Sequence, residues 1–209
     1  MERKGSEKNR HEGKADQTIH WFPGHMTRTR REIEASIKSV DGVVEILDAR
    51  VPASSANPDM DWLTKDKPRM IVLNKADLAE EEATRKWAEH FRRRGYAVLI
   101  ANSKTGNITG AFASAAKVLL ADKIQRNAAR GMATQIRLMV CGIPNVGKSS
   151  FINRLAGGKK AKVEDRPGVT RGKQWFTVSE GIELMDTPGT LWPKLGDPTV
   201  AERLAFTGA

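Results

Sequence analysis

Ile136-Arg137-Leu138-Met139-Val140-Cys141-Gly142-Ile143-Pro144-Asn145-Val146-Gly147-Lys148-Ser149-Ser150 is the stretch on which the fold turns. It reads as a short apolar strand, Ile136–Cys141, running into a glycine-bounded loop and then a helix over 149–157. The loop matches Gly-x-x-x-x-Gly-Lys-Ser. Gly142 and Gly147 let backbone N–H groups turn inward around phosphates, and Lys148 adds a point charge. The Ser149 hydroxyl suits Mg²⁺; Asn145, Val146 and Ser150 complete the expected cradle. A strand-loop-helix unit of this kind belongs to an α/β domain with a mostly parallel sheet covered on both faces.

Working outward, the chain offers further strands at Gly42–Leu47, Arg69–Leu73 and Ala97–Ala101, each apolar and bounded by polar or turn residues. Helical stretches near 80–94 and 108–127 supply the crossovers. Ile33, Ile37 and Val40 mark an earlier helical face with Thr27 as its N-cap. Lys173–Val178 and Ile182–Met185 suggest a hairpin turning at Ser179-Glu180-Gly181. Cys141, the lone cysteine, lies in a strand and reads as core. No apolar run approaches the roughly 20 residues of a membrane span, and no further residue cluster has metal-ligand spacing.

Two more motifs sit at strand ends, where open α/β sheets place ligands. Asn74-Lys75-Ala76-Asp77 follows Arg69–Leu73. The Asp77 carboxylate can accept from both N1–H and the 2-amino group of guanine, whereas adenine would leave it unpaired. Asn74 would meet the base edge and brace neighbouring loops, with the Lys75 stem over the base face. Asp186-Thr187-Pro188-Gly189 ends a later strand. Asp186 would hold Mg²⁺ through water, the Gly189 N–H would meet the γ-phosphate, and Thr170 upstream would be a further Mg²⁺ ligand. The order is inverted: the base-reading box comes about 70 residues before the phosphate loop, where an ordinary small GTPase has it last.

That order resembles the circularly permuted P-loop GTPases, and within them the ribosome biogenesis GTPase A (YlqF-like) family. Trp21-Phe22-Pro23-Gly24-His25-Met26 and Asp48-Ala49-Arg50-Val51-Pro52 carry the resemblance further, over about 20–209. It implies a Rossmann-like GTPase that binds GTP and GDP with Mg²⁺ and acts in late assembly of the large ribosomal subunit on rRNA-containing particles. Asn102-Ser103-Lys104 resembles the Ser-Ala-Lys box, whose middle N–H meets guanine O6. Asn145 resembles the asparagine of potassium-activated GTPases, implying K⁺ beside the phosphates. Thr190 follows the switch glycine and is too short to orient water as a Gln does, so the resemblance assigns that work to His25. The alternative is a GTP-dependent RNA-binding placeholder with little turnover.

The resemblance divides the chain into a disordered charged tail (1–19), the permuted GTPase domain (20–192), and a linker with the start of a truncated helical domain (193–209). Lys and Arg number 35 against 25 Asp and Glu, a net charge of +10 that favours a polyanionic partner. Candidate RNA contacts are Arg28, Arg30, Arg31, Lys38, Arg92-Arg93-Arg94, Lys159, Lys160 and Lys162. A cytoplasmic monomer is expected, since the tail lacks the apolar core of a secretory signal.

Overall fold

The computed structural model describes residues 19–20, 31, 33–157, 174–187, 189, 194–195 and 197–208. The elements run β1 (Ile19–His20), α1 (33–37), β2 (Gly42–Asp48), α2 (Pro52–Ser55), α3 (Met60–Leu63) and β3 (Arg69–Asn74). After a one-turn 3₁₀ helix at Ala76–Leu78 come α4 (Glu81–Arg93), β4 (Ala97–Ile100), α5 (Thr109–Leu119), α6 (Ala121–Ala128) and β5 (Ile136–Cys141). The chain ends through α7 (Lys148–Leu155), β6 (Gln174–Ser179), β7 (Ile182–Asp186), β8 (Lys194–Leu195) and α8 (Pro198–Thr207).

The main sheet has the order β4-β3-β2-β5-β7-β6, with every neighbouring pair parallel except β6–β7. Chain progression runs outward through β2, β3 and β4 on one side and through β5 and β7 on the other. The reversal between β2 and β5 is the switch point at which such sheets hold ligands, and the phosphate loop leaves β5 there. Swapping the two halves in sequence leaves this meeting of strand ends unchanged.

Period-two alternation sends neighbouring side chains of β2 to opposite faces. Val44 and Ile46 join Phe112 and Ala116 of α5 and Phe151, Ile152 and Leu155 of α7 in one cluster. Phe112 and Phe151 meet edge to face, with ring centroids 5.6 Å apart. On the other face Val43, Met139, Cys141 and Met185 pack under Ile33, Met60 and Leu63. Leu47, Ile71 and Leu73 pack under Ala88 and Phe91 of α4. The expected helices on both faces are present, and Cys141 is core.

Three sequence readings are corrected. Ala97–Ile100 is an edge strand, only half-buried, rather than one covered on both faces. The single helix expected over 108–127 is two, because Leu120 leaves the helical backbone (φ −114°, ψ 26°) while burying its side chain. The stretch read as a linker contains β8, which pairs antiparallel with β1. The helix after it is a full ten residues and adds Ala201 and Leu204 to the first cluster. Its ends follow ordinary rules: Asp197 caps the Thr199 N–H, Pro198 opens the first turn, and Gly208 takes the left-handed closing position. Thr27 lies outside the described residues. Among the described residues no helix is long and apolar enough to cross a membrane.

Glu45 and Arg69 are buried together in the sheet layer, away from the carboxyl ends of the strands. Glu45 accepts from the Asn57 N–H at 3.3 Å and faces Arg69 at 3.6 Å. Arg69 also engages Asp61 and the Tyr96 hydroxyl. Burial pushes the Glu45 carboxyl up from its ordinary 4.5 to about 7, a rise that Arg69 opposes but does not cancel. The folded state therefore holds this proton more tightly than the unfolded chain. The associated stability is complete below about 4.5 and is lost as pH rises through about 7. Glu45→Gln should remove this pH dependence. In urea unfolding, the stability of the parent relative to Glu45→Gln should fall between pH 5 and 8; a constant difference would contradict the assignment.

Candidate functional site

The ends of β2 and β3 lie side by side, Asp48 in register with Asn74, while β5 ends three residues earlier, Cys141 in register with Glu45. Three loops leave this edge: the Asp48–Arg50 turn, the Asn74–Asp77 box and the phosphate loop. Asn74, buried at 1% exposure, binds them together. Its amide nitrogen donates to the Val146 carbonyl at 2.8 Å. Its Oδ1 accepts from the Ser103 hydroxyl at 2.6 Å and from the Ser103 N–H at 3.3 Å. A single side chain thus joins the base-reading box to the phosphate loop and to the Asn102–Lys104 loop.

Lys75 makes a second bridge. It adopts a left-handed backbone (φ 60°), which turns its side chain back across the loops. Nζ reaches the Asn145 carbonyl at 2.6 Å and Asp48 Oδ2 at 3.0 Å. Asp48 is also held by a fork from Arg50, Nε at 2.9 Å and Nη2 at 2.6 Å. Burial would raise the Asp48 carboxyl, but Arg50 and Lys75 together hold it below its ordinary value.

In the phosphate loop, Asn145 (φ 58°) and Gly147 (φ 94°) take left-handed conformations, of the kind from which anion-binding backbone nests are built. Gly147 has a second reason to be glycine, since a Cβ there would lie 2.5 Å from Asn74 Nδ2. Lys148 is buried and donates to the carbonyls of Gly142 (3.1 Å) and Ile143 (2.8 Å) within the loop. Burial pulls its ammonium down to about 8, against the opposing charge of Asp186. Asp186 ends β7 in register with Val140, and Thr187 donates to the Val140 carbonyl at 2.7 Å. A Cβ on Gly189 would sit 2.7 Å from Lys148 Nζ, so the switch backbone passes directly against the phosphate-loop lysine.

These contacts bring Asn74, Lys75, Ser103, Asn145, Val146, Gly147, Lys148, Asp186 and Gly189 together at the strand ends, with Ser149 and Ser150 in the first turn of α7. Asp77 is exposed in the 3₁₀ turn, and Lys104 is exposed beyond Ser103. Asn102 closes an Asx turn, its Oδ1 accepting from Lys104 N at 2.9 Å. The Ser103 N–H points at Asn74. Thr170 and His25 lie outside the described residues. The oxygen donors of Ser149 and Asp186 suit a hard divalent ion such as Mg²⁺.

Sequence reasoning gave no site role to Arg154, to Arg50 or to the end of α8. Arg154 of α7 donates to the Ser103 carbonyl at 3.2 Å. Arg50 reaches the Thr207 carbonyl at 3.2 Å, and Asn145 Nδ2 reaches the Gly208 carbonyl at 2.5 Å, so the end of α8 rests on the phosphate loop. The position of Asp48-Ala49-Arg50 at a strand end, beside the base box, was the available signal.

A family model described as 50S ribosome-binding GTPase matches residues 137–205. The ribosome biogenesis GTPase A of Bacillus licheniformis is 48% identical over 192 residues, covering 91% of this chain and 68% of its own length. That of Bacillus cereus is 46% identical over 192 residues, covering 91% and 65%. The chain spans about two thirds of the length of these curated relatives. Among solved structures, GNP-bound YlqF from Thermotoga maritima superposes with a TM-score of 0.59 at 30% identity, over 85% of this chain and 64% of that one.

The geometry makes Asn74 a test of the whole edge. Asn74→Ala would leave the Val146 carbonyl and the Ser103 N–H without this partner, at about 1–3 kcal/mol per buried unsatisfied group. Thermal unfolding should show the loss, and Gly147→Ala should reproduce part of it by displacing Asn74. Unchanged melting of both variants would mean that these contacts do not hold the loops.

Proposed function

The chain belongs to the ribosome biogenesis GTPase A family, and from that premise we propose that it binds GTP and GDP and hydrolyses GTP during large-subunit assembly. The observation that carries the reading is the Asn74 bridge. It holds a base-reading box against a phosphate loop although the two are far apart, and in inverted order, along the chain. The GNP-bound state of the similar Thermotoga maritima structure supports the choice of nucleotide.

In this reading Asp77 accepts from the guanine edge and the Lys75 stem covers the base. The Asn102-Ser103-Lys104 loop closes the base side of the pocket. Val146, Gly147, Lys148, Ser149 and Ser150 surround the phosphates, and Lys148 exchanges its contacts with Gly142 and Ile143 for phosphate oxygens. Ser149, Thr170 and Asp186 are the proposed Mg²⁺ ligands; the ion, when bound, offsets charge on the phosphates. With its amide nitrogen on the Gly208 carbonyl, Asn145 keeps its Oδ1 for a K⁺ ion. Gly189 N–H is the proposed γ-phosphate sensor and His25 the group that positions water. The rRNA-containing large-subunit precursor is the proposed partner, engaged by the chain acting as a monomer.

Titration calorimetry should show GTP and GDP binding with ATP weaker by at least roughly 100-fold, since adenine leaves the carboxylate unpaired. Asp77→Asn should transfer preference to xanthine nucleotides, and Lys148→Ala should abolish tight binding. Comparable ATP and GTP affinity in the parent would overturn the guanine reading. Single-turnover hydrolysis with large-subunit particles tests the catalytic assignment. His25→Ala should keep GTP affinity and slow the stimulated rate by about 10–10⁴-fold. Equal stimulated rates would remove His25 from the mechanism, and the absence of stimulated turnover in the parent would favour a nucleotide-dependent placeholder.

A further inference from the structure

Helix α4 begins three residues beyond the base-reading turn and carries a surface that the nucleotide site does not use. Thr84, Ala88 and Phe91 fix its buried face. On another face Ala83, Lys86, Trp87 and His90 recur at i, i+3, i+4 and i+7 and line a shallow, largely apolar groove of about 260 Å³. Arg93 and Arg94 continue the same spacing past the groove. A stripe with this periodicity normally faces a core. Here Lys86, His90, Arg93 and Arg94 are exposed and Trp87 is half-exposed.

The aromatic part is fixed in place. Trp87 lies against Phe91 of the core at 5.9 Å between ring centroids, tilted by 32°. His90 meets the Trp87 ring edge to face at 5.4 Å. Charge is uneven along the helix: Glu80, Glu81 and Glu82 stand at its start, Glu89 further on, and Arg92, Arg93 and Arg94 at its end. Lys86 has an exposed i,i+4 partner in Glu82 at 2.7 Å, the kind of pair that contributes little. Arg94 sits over the Tyr96 ring at 5.5 Å and touches Asp61 at 3.4 Å. Arg92 and Arg93 make no ion pair with any described residue.

A rigid aromatic shelf flanked by cations suits a ligand that offers flat rings and repeated negative charge together. Duplex RNA buries its ring faces in stacking; an unpaired strand exposes them, and proteins take hold of such strands by stacking bases on aromatic side chains beside basic groups. A docked acidic peptide would satisfy the arginines but would make poor use of the half-exposed Trp87 ring. We propose that this face of α4 is a docking site for single-stranded RNA, with a base seated on Trp87 between Lys86 and His90 and the backbone phosphates running toward Arg93. The proposal rests on the large-subunit reading above and names the part of that partner that this surface takes.

Fluorescence anisotropy with a labelled single-stranded RNA of about 12 nucleotides, and with a duplex of equal length, tests it in the presence of a GTP analogue. The parent should prefer the single strand. Trp87→Ala should weaken single-strand binding by roughly 5- to 150-fold, and Trp87→Phe, which retains a ring, should recover most of it. Arg93→Ala, at an exposed position that threatens no core contact, should lower the slope of log affinity against log salt by about one. GDP affinity should be unchanged in all three variants, which certifies their fold. Sedimentation of the parent with large-subunit particles separates the two levels of the reading. Particle binding with parent-like RNA affinity in Trp87→Ala and Arg93→Ala overturns the α4 site alone. Variants that lose particles but keep naked RNA point to a ribosomal protein and also overturn it. A parent that binds neither RNA nor particles sinks the assembly reading together with the site.

Discussion

A buried primary amide is stable only when both of its ends are satisfied, and Asn74 meets that requirement with partners from two other loops. The amide nitrogen is held by Val146 and the oxygen by Ser103. Each partner lies on a different strand-to-helix connection, so a local backbone need becomes a constraint on three loops. Gly147 follows from it, because a larger residue would collide with the amide. The inverted motif order becomes intelligible in the same terms. The constraint acts between strand ends, and β3 stands two places from β5 in the sheet whichever comes first along the chain.

Charge extends this arrangement outward. Lys75 carries it to the Asn145 carbonyl and to Asp48, Asp48 to Arg50, and Arg50 to the carbonyl end of α8. Asn145 touches the same helix end from the phosphate loop. The end of this helix is thereby joined to the loop proposed to hold phosphates, directly through Asn145 and indirectly through Arg50, Asp48 and Lys75, while its apolar side enters the core with Ala201 and Leu204. Lys148 lies at the centre of this region, buried beside Asp186, with an ammonium that burial makes easier to deprotonate. A phosphate group there would restore favourable charge to a lysine held in poor surroundings.

Motifs with a mechanism were legible in the sequence. The strand before the phosphate loop, the box after β3 and the acidic end of β7 all lie at strand ends as read, since short apolar runs bounded by polar turns identify buried parallel strands. What was not legible depended on tertiary context. The status of β4 as an edge follows from sheet order, which its composition does not encode. The break at Leu120 interrupts a continuous apolar pattern for reasons of packing. The two-residue pairing of β1 with β8 joins segments far apart in the chain and too short to give a periodic signal. Within the site, Asp48 and Arg50 were visible as a motif, but their role needed the register of β2 against β3. The exposure of Trp87 and His90 likewise depends on which face of α4 is buried.

The central claim is that the base box and the phosphate loop, bridged by Asn74, close on a single guanine nucleotide. Amide hydrogen exchange followed by mass spectrometry tests it most directly, with GDP and ADP compared at equal concentration. GDP should slow exchange at both 74–78 and 145–150, and Asn74→Ala should diminish both protections together; ADP should protect neither segment comparably. Protection of 145–150 alone by GDP, or equal protection by ADP, would show that the two loops do not form one guanine site and would contradict the account.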